Sequence, residues 1–477
     1  MHGRPTTQSL GDTHASHPHR WRILGVLVLA LLVTSIDHTI INVAMPRLVG
    51  DLGASSAQLQ WIVASYTIVF AGLLLTAGSL GDRFGRRHAL LAGLGTFLVG
   101  SVVAASADST TALIAGRCVM GVGGALIMPT TLSILVNVFG DPRERAKAIA
   151  GWTAAAGAGI ALGPLVVAGL DSLASWRFAY WLMAVGAVAL AFVAQRLLVE
   201  SRTDAPRGLD PLGALLLGLG MSALLAALVE GRQGWSQPLP IVLFAASALV
   251  LTVFVYVEYR NRNSMLDLSL FTQPAFVAAT VAALMTGAGI IALMSFLSGF
   301  LGNAYGIDAL GAAFLLFAWS ATSVATALLA RRIPARVSGT TQLAIGLTGV
   351  AIGQVLLLGL SESSTWVRLL PGLLVAGVSS GVLNAALGRE AVSSVPAGRA
   401  AMGSGANNTA RYVGSALGVT VVAVLAVPVG TPTAAGLVEG WNSAVLFTAA
   451  ASVVGALVVV VCSTRIVTPP AATPPGR

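Results

Sequence analysis

Runs of about 20 apolar residues, separated by short polar connections, recur along the whole 477-residue chain, and that length matches a bilayer's hydrocarbon core when wound as helix. The runs show neither strand alternation nor the spacing of a surface helix, so they read as spans. Hydrophobic residues make up 56% of the chain and charged residues 9%, against about 25% charged in soluble domains. In hydrocarbon the backbone finds no water to bond, and helices satisfy it internally. The sequence predicts an all-α integral membrane protein.

Helices are expected at 22–45, 58–79, 88–107, 110–137, 145–169, 177–198, 210–229, 238–258, 274–298, 307–330, 340–360, 366–388, 399–427 and 441–463, fourteen in all. The basic residues test this count. Of 27, all but Lys147 are arginine; 21 fall in the tails and alternate loops of one face. Four, Arg47, Arg177, Arg232 and Arg368, fall on the other face, and Arg117 and Arg411 lie inside spans. The arginine-rich face is the cytoplasmic one, so both termini are expected inside. The formal charge of +9 thus reflects topology rather than nucleic-acid binding. The polar connections "ESRTDAPRGLDP" and "EYRNRNSMLDLSLF" divide the chain. A cytoplasmic tail, 1–21, precedes a six-helix bundle, 22–198; two extra helices with linkers, 199–273, lead to a second six-helix bundle, 274–463, and a cytoplasmic tail, 464–477.

Within the first span, "SIDHTIINVAMP" places Asp37 in hydrocarbon, at an insertion cost of roughly 2.5–3.5 kcal/mol. By helical rise it lies about 22 Å above the cytoplasmic end, and Arg117 about 10 Å below the outer end of the fourth span. The two depths are similar. A facing pair would offset both costs, and desolvation and Arg117 would then pull the charge state of Asp37 in opposite senses. Asp37 is read as a proton-carrying acid, with a permanent packing ion pair as the alternative. His38 points about 100° away and is read as a helix-interface residue. Arg411 has no acid in its own helix and would bind carbonyls, Asn407 or substrate. Asp308, Glu230, Glu439, Glu258 and Glu390 sit at helix ends and read as solvated. Cys118 and Cys462 fall in separate apolar runs and read as structural thiols. No metal-ligand or catalytic spacing occurs, and the "HASHPH" tail reads as disordered.

Between the second and third spans lies "GSLGDRFGRR", with Gly78, Asp82, Arg83, Gly85, Arg86 and Arg87. Glycine allows a tight turn there, Asp82 can cap the third helix, and the arginines hold the anionic inner leaflet. Together with "DHTIINVAMP", "QWIVASYTI" (Trp61, Tyr66), "AGRCVMGVGGALIMP" (Arg117) and "NNTARYVGSALG" (Asn407, Asn408, Arg411), this loop resembles the major facilitator superfamily. The resemblance covers nearly the whole chain and is to its fourteen-span drug:proton antiporter family. The fifth span's "GAGIALGPLVVAGL" keeps Gly159, Gly163 and Pro164 of the exporter hinge motif, but Val167 and Ala168 replace its last glycines.

The resemblance implies a monomeric plasma-membrane carrier of two six-helix bundles with two added helices, working by alternating access. It needs no cofactor and is driven by the proton gradient, with small hydrophobic molecules, protons and the bilayer as partners. Asp37, Arg117, Asn407, Arg411, Tyr66 and Trp61 would line the coupling and substrate cavity; "GSLGDRFGRR" would latch the cytoplasmic gate and Gly159, Gly163 and Pro164 would bend the fifth helix. With no second deep carboxylate, the expected cargo is monovalent lipophilic cations or neutral compounds. A dedicated exporter of one metabolite, lipid or self-made antibiotic is the alternative.

Overall fold

The computed structural model of the chain describes residues 18–173, 175–202, 210–231, 234–261, 268–307, 309–334, 336–396, 400–426 and 433–464. Residues 1–17 and 465–477, Asp308 and the side chains of His38 and Pro164 lie outside the described residues, so of "HASHPH" only Pro18 and His19 are described. Among those described, all regular structure is helical. The α-helices are α1 (Arg20–Leu52), α2 (Ser56–Phe84), α3 (Arg86–Ala105), α4 (Thr110–Val138), α5 (Pro142–Leu173), α6 (Arg177–Leu197), α7 (Pro211–Gly231) and α8 (Pro238–Arg260). After them come α9 (Pro274–Thr286), α10 (Ala292–Tyr305), α11 (Ala309–Leu329), α12 (Gly339–Val355), α13 (Leu370–Ser393), α14 (Ala400–Ala426) and α15 (Ala434–Thr464).

Ten of the described helical segments are long and apolar enough to cross a membrane, or eleven with α2, which bends by 53° between Leu74 and Thr76. The fourteen expected spans are therefore not all reached. α12, at 17 residues, is short of a full span, and α1 and α5 contain residues whose side chains lie outside those described. The expected ninth span is longer than its hydropathy suggested, running from Pro274 to Tyr305 with α9 and α10 joined through a π turn, Gly287–Ile291.

Helix ends follow local chemistry. Ser55 and Gln58 form a reciprocal capping box at the start of α2, and Ser109 accepts from the Ala112 amide at the start of α4. Among the described residues the two largest hydrophobic cores are one drawn from α1 to α6 and their loops and another from α9 to α15. α5 packs on α11 and α13, and α2 on α14, closing the halves around a central space. α7 lies along α2 and also touches α14, with Trp61 of α2 donating to Glu230 of α7 at 2.6 Å. Glu230 is thus bonded into the helix packing, and Glu258 is buried at 3% exposure; neither is the solvated end its position in the chain suggested.

Candidate functional site

The central space is a cavity of about 620 Å³, walled by α1, α2, α4, α5 and α7 on one side and α9 to α11, α13 and α14 on the other. Its first wall is mainly apolar, with Leu59, Ile68, Phe70, Leu132, Leu225 and Leu228; the second carries Ser320, Ser380, Asn384, Asn407, Asn408 and Arg411. Two tryptophans line it, Trp152 of α5 in the first half and Trp319 of α11 in the second. Asn384, Trp152 and Trp319 were not singled out from the sequence. A polar residue within an apolar run is a readable signal for Asn384, whereas nothing local distinguishes a cavity tryptophan from a core one.

Asp37 and Arg117 meet. The Arg117 Nη1 donates to Asp37 Oδ1 at 2.8 Å and to Oδ2 at 2.9 Å, with side-chain exposures of 1% and 0%. Arg117 Nε donates to the Ile62 carbonyl at 3.1 Å, and the guanidinium lies 4.9 Å from the Tyr66 ring centroid. One side chain from α4 therefore ties α1 and α2 together. The pair is sealed behind the cavity wall: Thr34 and Ser35 line the space, but Asp37, Arg117, Tyr66 and Trp61 do not.

Arg411 sits differently. It lines the cavity, donates to Asn408 Oδ1 at 2.7 Å, and has no carboxylate within ion-pair distance among the described residues. Asn407, one of the partners offered to Arg411 by the sequence, instead donates to the Ala279 carbonyl of α9 at 3.0 Å. A line of rings joins the two arginines. Tyr66 stacks on Phe70 at 5.5 Å, Phe70 meets Tyr412 edge-on at 4.9 Å, and the Tyr412 ring lies 5.7 Å from the Arg411 guanidinium.

The "GSLGDRFGRR" stretch is helix broken at one residue. Gly78 to Phe84 continue α2, Arg86 and Arg87 begin α3, and Gly85 between them has φ +108°, where a β-carbon would also strike Glu200. Asp82 does not cap α3. It pairs with Arg86 at 2.8 Å and accepts from Ser133 of α4 at 3.3 Å. The cap comes from Glu200, just past the end of α6, which accepts from the Arg87 and His88 amides, each at 3.2 Å. That carboxylate was missed because it is over a hundred residues away in the chain. Arg87 also donates to the Gln195 carbonyl at 2.7 Å, while Arg83 lies 5.9 Å from the Phe84 ring.

In α5, Gly159 abuts α1: a β-carbon there would collide with Ser35 and sit 3.1 Å from the Leu32 carbonyl. Gly163 is buried. Cys118 and Cys462 are free and half-buried, less enclosed than core thiols. Among the described residues no group of His, Cys, Asp or Glu could hold a metal ion.

Two helical halves facing each other across a shared, partly polar cavity within the membrane are the build of a small-molecule carrier. The chain matches the Major Facilitator Superfamily over residues 27–419 and belongs to it. It is a multi-pass membrane transporter and not an enzyme. It is 31% identical over 405 residues to the multidrug efflux pump LfrA of Mycolicibacterium smegmatis, covering 85% of this chain and 80% of that one. It is 31% identical over 411 residues to the puromycin resistance protein pur8 of Streptomyces alboniger, covering 85% and 81%. The human organic anion transporter MFSD10 (TETRAN) shares the fold, with a TM-score of 0.67 at 16% identity over 93% of this chain and all of that one.

Proposed function

We propose that this protein is a proton-coupled exporter of lipophilic drugs and antibiotics, acting by alternating access in the plasma membrane as a monomer. In this reading the chain makes fourteen spans with both ends cytoplasmic, as two six-helix bundles at 22–198 and 274–463 joined through the added helices of 199–273. The observation that carries it is the buried Asp37–Arg117 pair beside a cavity shared by both halves. An ion pair at membrane depth is functional by default.

Asp37 would take a proton from outside and deliver it inside. Protonation removes the charge that holds Arg117, leaving the guanidinium to the Ile62 carbonyl and the Tyr66 face and freeing α1 from α4. Movement of α1 would reach α5 through its contact at Gly159, and α5 touches the opposite half at α11 and α13. Gly163 and Pro164 would let α5 bend. The Gly78–Arg87 stretch, clamped to α4 and α6, would hold the cytoplasmic end of the first half rigid as it moves. Trp61 would anchor α7 to that half.

The names of the relatives support export and leave two breadths open, since one is a multidrug pump and the other a single-antibiotic resistance protein. The test is transport by the purified protein in liposomes under an imposed pH gradient, with neutral, cationic and anionic drugs and puromycin as separate cargoes. Gradient-driven movement of several cargoes supports the multidrug reading, and movement of one alone the dedicated exporter. Movement that ignores the gradient would remove proton coupling.

A further inference from the structure

Arg411 is the sole charged side chain among the described residues lining the cavity. Its guanidinium has five N–H donors; Asn408 takes one at 2.7 Å, and neither Asn408 nor Tyr412 brings a negative charge. The acid that could have met a cationic cargo, Asp37, has both oxygens engaged by Arg117 behind the wall. We infer that Arg411 is the recognition group of the cavity, and that the cargo is a lipophilic compound bearing an anionic oxygen: a carboxylate, an ionised phenol or enol, or a sulfonate. This rests on the export reading above and narrows its substrate class.

Three features fit that assignment. The first is charge: a fixed cation with no counter-ion among the described residues repels cations and forms charge-assisted hydrogen bonds, two at once in a fork, with an anionic oxygen pair. The second is placement. α14 is pressed onto α9 and the π turn that follows it so closely that a β-carbon on Gly287 would collide with the Arg411 carbonyl, and one on Gly414 with that of Leu284. Asn407 adds its bond to Ala279. The base of the Arg411 side chain is therefore held in place before any ligand arrives, which lowers the ordering cost of binding. The third is the division of the cavity. Amides and hydroxyls surround Arg411 on the second wall, while Ile68, Leu225 and Leu228 opposite offer apolar surface to the body of the same molecule.

Electrical work points the same way. In a cell that is negative inside, an anion moving out and a proton moving in both travel down the potential. A monovalent cation exchanged for one proton would gain nothing from it. An anion exporter on this scaffold is accordingly driven by membrane potential even without a pH gradient.

The test uses two xanthene dyes of similar size and opposite charge, fluorescein and rhodamine 123, at mildly alkaline pH. Their binding to the purified full-length protein is followed by fluorescence anisotropy. Size-exclusion and thermal unfolding are used first to check that Arg411→Gln and Arg411→Lys are folded. Fluorescein is expected to bind about tenfold or more tightly than rhodamine 123, to weaken about tenfold in Arg411→Gln, and to stay within severalfold in Arg411→Lys. Tighter binding of rhodamine 123, as aromatic faces at Trp152 and Trp319 would give, or fluorescein binding indifferent to Arg411→Gln, overturns the inference. So does binding of neither dye. Liposomes carrying a potassium diffusion potential separate this outcome from the fate of the export reading. Fluorescein that binds through Arg411 but is moved by no gradient sinks export and leaves the recognition site standing. Gradient-driven movement of rhodamine 123 without fluorescein does the reverse.

Discussion

Arg117 and Arg411 are both guanidinium groups inside helices of a membrane protein, and the chain treats them in opposite ways. Arg117 is 1% exposed, bonded to both oxygens of Asp37 and to a backbone carbonyl. Arg411 faces the cavity with an amide oxygen for company. Each costs roughly 2.5–3.5 kcal/mol to place in hydrocarbon. The first cost is met inside the protein by Asp37, a carboxylate that a proton can neutralise. The second is left open towards the cavity, so the charge can respond to a ligand. Three aromatic rings, Tyr66, Phe70 and Tyr412, span the distance between them.

The largest break in this comparison is Asp37→Asn. It strands a buried Arg117, and thermal or denaturant unfolding should show a loss of about 3–5 kcal/mol. Gradient-driven transport should vanish with it. The double variant Asp37→Asn/Arg117→Gln removes both charges and should recover most of the stability but none of the coupling. Equal stability of the single variant and the intact protein would deny that the pair is buried and engaged.

At Gly159 a leucine must push against Ser35 and the Leu32 carbonyl. Unfolding should register about 1–3 kcal/mol of overpacking, with transport slowed beyond what stability explains. Normal transport by Gly159→Leu would remove the α1–α5 contact from the mechanism.

Arg411→Gln sharpens the contrast from the other side. Because no charged partner among the described residues is abandoned, its unfolding free energy should stay within about 1 kcal/mol of the intact protein, unlike that of Asp37→Asn. A loss as large as that of Asp37→Asn would mean that Arg411 holds the fold together. The smallest effect on transport is expected at Glu200→Ala, which removes the cap from α3 and should cost about 1 kcal/mol in unfolding. Transport per folded molecule should not change. Loss of transport there would assign the cytoplasmic stretch a direct part in gating.

Much of this was legible in the chain itself. The all-helical, membrane-spanning class follows from hydropathy although the count and lengths of the spans do not, and the Asp37–Arg117 contact was expected from two depths taken along helices running in opposite directions. The absence of an acid in the helix of Arg411 was equally visible. Contacts that depend on packing were not. Glu230 looks like a solvated residue at a helix end, and Glu200 carries no mark of its capping bonds, until α7 and α6 are set against α2 and α3. The π turn falls at Gly287 and Gly289 within an unbroken apolar run, where hydropathy carries no mark of it. That Asp37 lies behind the cavity wall is a matter of side-chain direction, which periodicity in an all-apolar helix does not encode.

The central claim is that protons pass through Asp37 as cargo leaves. Its most direct test is proton movement itself, followed with a pH-sensitive dye trapped in proteoliposomes as drug transport is started. The intact protein should move protons opposite to the drug, while the folded double variant Asp37→Asn/Arg117→Gln should bind drug and move none. Proton movement of equal size in the double variant would contradict the account and place the coupling acid elsewhere.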